Sequence, residues 1–106
     1  MKVDDVCTRV RAKNAGPFRL TIDCFCASVG DWQRLLDGLS AERVGQALGA
    51  GAGTVTRHEL AELRVIKFSL PRPGVQGALG DRDQHGAQWA LVIVALNLDV
   101  QLVAPG

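Results

Sequence analysis

The sequence predicts a small α+β domain in two layers, one sheet of three to four strands covered by short helices. Three observations lead to it. Hydrophobic residues alternate with period two over residues 18–26, 64–70 and 96–102. They recur at helical spacing over residues 4–12, 31–38 and 41–49. The chain has 106 residues, 47% of them hydrophobic, which suits one core and so a single domain over residues 1–106.

The elements follow in order. Val3, Val6, Cys7 and Val10 fit the i, i+3, i+4, i+7 rule and predict a short amphipathic helix over 4–12. Asp4 and Asp5 would sit at its positive end, Arg9 and Arg11 at its negative end. Lys13-Asn14-Ala15-Gly16-Pro17 ends it. Phe18, Leu20, Ile22, Cys24 and Cys26 point one way and Arg19, Thr21, Asp23 and Phe25 the other, the clearest strand in the chain. Phe25 interrupts the polar face and suggests that something covers that end. Trp32, Leu35, Leu36 and Leu39 predict a helix over 31–38 that Asp31 or Ser28 can cap, and Ser40 can cap a second over 41–49.

The alternating glycines of Gly49-Ala50-Gly51-Ala52-Gly53 imitate a phosphate-cradling loop. Such a loop follows a strand and opens a helix with Lys-Ser/Thr. This one follows a helix and reads as a connector. Residues 54–63 contain good helix formers and predict a short helical turn. Residues 64–70 alternate and predict a second strand, ended by Pro71 and Pro73. Residues 74–86 carry four glycines and no period, hence a long loop. Leu96, Leu98, Val100 and Leu102 against Asn97, Asp99 and Gln101 predict a third strand, with the apolar run from Trp89 as its buried extension.

Composition narrows the function classes. Twelve Lys and Arg against eleven Asp and Glu leave a net charge of +1, without the basic excess of a nucleic-acid binder. Five percent aromatic content and no Tyr leave little for base stacking. The longest apolar run is shorter than the ~20 residues of a membrane-spanning helix. The first residues hold no apolar signal segment, which points to a cytoplasmic protein. Three cysteines make no disulfide framework. Cys24 and Cys26 share a strand face, and a metal reading would have to recruit Cys7, His58 or His85; small core hydrophobes are the simpler account.

Most of the candidate chemistry sits in two polar islands. The first is Lys13-Asn14-Ala15-Gly16-Pro17-Phe18; the second runs from Pro71-Arg72-Pro73 to Gly80-Asp81-Arg82-Asp83-Gln84-His85-Gly86-Ala87-Gln88. Lys13 and Asn14 precede one strand and Arg72 follows another, both at the rim where ligand-binding loops collect. Lys13 and Arg72 together can hold a carboxylate or phosphate. Asn14 can instead bond within its own turn. Gln88 closes the second island and joins Lys13, Asn14 and Arg72 as a ligand-binding candidate. Asp81, Asp83 and His85 fall at the first, third and fifth positions of a calcium-type loop, but its twelfth is Val92 rather than Glu, so no metal site is assigned. The aspartates read as turn-forming groups bonding their own backbone, or as an acid-base set. In a catalytic reading, Asp81 or Asp83 is the general base, with His85 beside them and Lys13 or Arg72 stabilising charge. No nucleophile elbow surrounds Ser28, Ser40 or Ser69.

The order and spacing of Lys13-Asn14-Ala15-Gly16-Pro17-Phe18, Pro71-Arg72-Pro73 and Gly80-Asp81-x-Asp83-x-x-Gly86-Ala87-Gln88 resembles the domain-of-unknown-function family 4387, over residues 4 to about 102. The chain departs from the family's pattern at Arg82 and in the apolar stretch after Gln88. The resemblance implies a small protein associated with, or fused to, an AtuA-type protein of acyclic terpene utilisation. It further implies catabolism of an acyl-CoA or small hydroxy-acid compound through that partner. The expected function is therefore a small subunit of a two-component enzyme, self-associating or inactive alone. The other class is a free-standing small-anion-binding domain or enzyme using Lys13, Arg72, Asp81 and Asp83.

Overall fold

The computed structural model describes residues 1–51, 53–71 and 86–98. They form an α+β fold: one open antiparallel sheet with four helices. The element order is α1 (Val3–Val6), β1 (Cys7–Asn14), β2 (Arg19–Cys26), α2 (Val29–Gly38), α3 (Ala41–Leu48), β3 (Thr56–Leu60), β4 (Val65–Pro71) and α4 (Gly86–Val94), with a 3-10 turn at Ala61–Leu63. The sheet order is β1-β2-β4-β3.

The inner strands behave as their alternation predicts, except that Phe18 precedes β2, in the turn from β1, and is 78% exposed. Leu20, Ile22 and Cys24 of β2 and Ile66, Phe68 and Leu70 of β4 are fully buried. They pack with Val3, Trp32, Leu35, Leu39, Val44, Leu48 and Ile93 in one core cluster. The two predicted caps form: the Ser28 hydroxyl accepts from the Asp31 amide and the Ser40 hydroxyl from the Arg43 amide, each at 3.1 Å. Gly49 ends α3 at φ 75°, a left-handed conformation that glycine takes without a Cβ penalty, so the glycine run starts as a helix cap.

Three expectations are corrected. The helix predicted over 4–12 stops at Val6, and Cys7–Asn14 is a strand. Val3 and Val6 are buried by a single helical turn, and the amide of Lys2, the residue that caps it, donates to the Asp5 carboxylate at 2.7 Å. Val10 and Ala12 then alternate with Arg9, Arg11 and Lys13 beside β2. A ladder to an existing strand outweighs marginal helical spacing in so short a segment. Residues 54–63 likewise give an edge strand, β3, and only one 3-10 turn. His58 therefore lies on a strand rather than a surface helix.

The third correction is the tail. Trp89 to Val94 is helical, not an extended run. It packs over β1, buries Ile93 fully and leaves Leu91 exposed. Of the predicted third strand, residues 96–98 run antiparallel to the chain's start, through Lys2↔Asn97, with the Val3 amide donating to the Leu96 carbonyl at 2.9 Å. Residues 99–102 lie outside the described residues. No helix among the described residues is long and apolar enough to cross a membrane.

Helix α2 has no basic residue in its last turn, so its terminal carbonyls depend on other elements. Arg57, reaching in from β3, donates to the Leu36 and Leu39 carbonyls at 2.9 and 3.0 Å. Arg43 of α3 donates to the Gly38 carbonyl at 3.0 Å and to that of Asn97 at 2.8 Å. At the other end of the sheet, the Trp32 indole donates to the Val65 carbonyl at 3.1 Å, fixing α2 to β4.

The three cysteines meet on the covered face. Cys7 pairs across the ladder with Cys26, and Cys24 is fully buried one pleat along. The Cys7 thiol is raised well above its ordinary range, first by its hydrogen bond with Cys24 and then by burial. Burial pushes the Cys26 thiol up to about 12. Both are protonated, and poor nucleophiles, at neutral pH. In the unfolded chain these thiols lose their protons near about pH 8.5. The folded state then binds more protons than the unfolded one, so this stabilisation is complete below about pH 8.5 and is lost as the pH rises toward the folded values.

Two outcomes check this picture by urea unfolding. The unfolding free energy should fall as the pH rises from about 9 to about 11, and fall less steeply in Cys26→Ala. Arg57→Lys, which cannot reach two carbonyls in a fixed fork, should cost about 1–2 kcal/mol. Glu59→Gln, which removes only the exposed ion pair to Arg57, should cost under about 0.5 kcal/mol.

Candidate functional site

The helices cover one face of the sheet, and no described element packs on the other. Directly opposed residues of antiparallel strands share a face, so the register defines that open surface as four rows. Arg9, Phe25, Val65 and Leu60 form the first; Arg11, Asp23, Lys67 and His58 the second. Lys13, Thr21, Ser69 and Thr56 form the third, and Arg19 with Pro71 the fourth.

A β-bulge gives this face its charge. From Cys7 to Arg9, strand β1 advances two residues while β2 advances one, Cys26 to Phe25. The extra residue, Thr8, reverses the alternation. Cys7 can thus face the core while Arg9, Arg11 and Lys13 all face outward. Without the bulge, a strand with Cys7 inside would send all three cations beneath the helices.

The first row is the apolar end. Val65 is buried although it faces away from the main core cluster, Leu60 is 38% exposed, and Leu63 on the adjoining 3-10 turn is 68% exposed. The Arg9 guanidinium lies over the Phe25 ring, 5.8 Å from its centroid, within cation–π range. In the second row Asp23 stands between Arg11 and Lys67. Its Oδ1 is buried and accepts no hydrogen bond; the Lys67 ammonium, 4.0 Å away, is at ion-pair distance and too far to donate. In the last rows the Arg19 guanidinium crosses the strands to donate to the Ser69 hydroxyl at 2.8 Å. That hydroxyl keeps its own proton for another acceptor.

The sequence candidates divide against this geometry. Lys13 lies on the open face. Asn14, its neighbour on the strand, pairs with buried Leu20 and therefore points to the helix-covered side. The two do not converge on one ligand. Strand β4 does end at the same rim as the β1–β2 turn, with Pro71 opposite Arg19. Gln88 is exposed on α4, in the helical layer. Arg72, Asp81, Asp83 and His85 lie outside the described residues.

Sequence reasoning missed Arg9, Arg11, Arg19, Asp23 and Lys67 as members of one surface. The outward set of β2 was visible in its alternation. The basic stripe of β1 was also visible as period two over 9–13, but the helical spacing of the valines hid it. No three His, Cys, Asp or Glu side chains among the described residues, His58 included, are grouped to hold a metal ion. What this surface can do chemically is receive a binding partner: an apolar anchor at one end, cations along the other.

No curated protein and no solved structure matches the chain. A family profile does match, over residues 3–97, from the first residue of α1 to the Asn97 bridge, and so across all four strands and four helices. The chain belongs to the family described as Domain of unknown function (DUF4387).

Proposed function

We infer that this protein is a small subunit that docks on a larger protein through the open face of its sheet. The observation that carries the reading is that face itself. Four strands contribute to it, one end is apolar, and no described element covers it. An uncovered apolar patch rimmed by polar residues marks an interaction surface more often than a solvated one. Phe25 and Leu60 are the anchor in this reading, because buried aromatic and aliphatic contacts supply most of the energy of such interfaces.

The resemblance drawn from the two polar islands supplies the partner class, an AtuA-type protein. In that setting the subunit completes or stabilises a site acting on an acyl-CoA or small hydroxy-acid compound. Lys13 at the rim, with Arg72 in the chain that follows β4, would present positive charge to the carboxylate or phosphate of such a compound.

Co-expression with an AtuA-type protein, followed by size-exclusion chromatography with light scattering, tests the reading. The expected result is one joint species, lost or weakened at least ~10-fold by Phe25→Ala while the circular dichroism spectrum is kept. Separate elution of two folded, monodisperse proteins overturns it and favours a free-standing anion-binding domain.

A further inference from the structure

The open face has a charge out of proportion to the chain. Among the described residues it carries Arg9, Arg11, Lys13, Arg19 and Lys67 against Asp23 alone, five cations and one carboxylate, a net +4 with His58 neutral. The whole protein carries only +1. Among the described acids, Asp4 and Asp5 on α1, Asp31 and Asp37 on α2 and Glu42 on α3 belong to the helical layer. The cations of that layer are also engaged within the chain. Arg34 pairs with Asp31 at 3.2 Å, and Arg43 is bonded to two carbonyls. On the open face, by contrast, Arg11 and Lys13 are exposed and have no carboxylate partner among the described residues.

Edge strands often carry charge simply to discourage pairing with other chains. That accounts for a lysine or two on β1. It does not account for Arg19 and Lys67 on the two inner strands.

Resting on the docking reading above, we propose that the surface received by this face is the acidic surface of a protein. Its carboxylates pair with Arg11, Lys13 and Arg19, while Phe25 and Leu60 take an apolar contact at the other end. Residues two apart on a strand are ~7 Å from one another, so Arg9, Arg11 and Lys13 form an evenly spaced ladder that a row of carboxylates on one element can match. A nucleic acid fits the same charge less well. Among the described residues Phe25 is the one aromatic side chain on this face, so successive bases have no series of rings to stack on.

Charges at the periphery of an interface act mainly on the association rate, and salt screens them. The test is the association kinetics of the complex with the AtuA-type protein, measured between about 50 and about 500 mM NaCl. The association rate should fall at least ~10-fold over this range, and Arg11→Glu/Lys13→Glu should lower it at least ~10-fold at low salt. Both residues are exposed, so the double variant should fold; Glu42→Lys on the helical layer should leave the rate unlowered. A complex that forms with no response to salt or to the double variant overturns the acidic-partner proposal and leaves the docking reading standing. Absence of any complex overturns both. Tighter binding of a fluorescent single-stranded oligouridylate than of the protein partner, at about 150 mM NaCl, also overturns it, in favour of a nucleic-acid surface.

Discussion

Everything in this fold depends on a sheet that buries one face and not the other. Leu20, Ile22 and Cys24 on β2 and Ile66, Phe68 and Leu70 on β4 supply the dry side, and α2, α3 and α4 exist to cover it. Because strand side chains alternate, that choice leaves the intervening residues no other place than the opposite face. Arg19, Thr21, Asp23, Phe25, Lys67 and Ser69 are therefore gathered by the same constraint that forms the core. A charged surface built this way needs no pocket and no loop. It needs only a sheet with helices on one side.

The helical layer is held to that sheet by directional bonds as well as by apolar contact. Helix α2 ends without cations of its own, and two arginines from outside it supply donors to its last carbonyls. Arg57 links it to the edge strand β3, and Arg43 links it to α3 and the backbone at Asn97. At the opposite end, Trp32 bonds the Val65 carbonyl. Gly38 belongs to the same arrangement: a Cβ there would meet the side chain of Leu98 at 3.0 Å and its carbonyl at 3.1 Å, so glycine lets the segment after α4 lie close against the end of α2. These contacts commit the arginines of the helical side to structural work.

Parts of this were legible in the residues. The alternation of β2 and β4 was unambiguous because both strands are central, with one face wholly apolar. The two serine caps were legible for a local reason, since the hydroxyl and the amide it accepts from are three residues apart. The edge elements were not. Cys7–Asn14 and Thr56–Leu60 each border the sheet on one side only, are half wet, and carry apolar residues compatible with more than one period. A partner strand, β2 or β4, decided them. The stretch after Gln88 failed for another reason: a run apolar on every side has no period, so a buried strand and a packed helix look alike. For the candidate site, the sequence placed Lys13 at the sheet rim but could not tell that Asn14 turns to the other face.

The sequence by itself determined the class of fold, the two central strands, the caps of α2 and α3, and the presence of polar residues along one side of β2. These follow from local rules: side-chain period, hydroxyl reach and glycine's tolerance of positive φ. Only the tertiary structure decided that β1 is a strand, that Thr8 forms a bulge against β2, and that Arg9, Arg11 and Lys13 consequently share a face with Arg19 and Lys67. The physical reason is that a bulge is a mismatch in count between two strands. It exists only once they are paired, and no single strand records it.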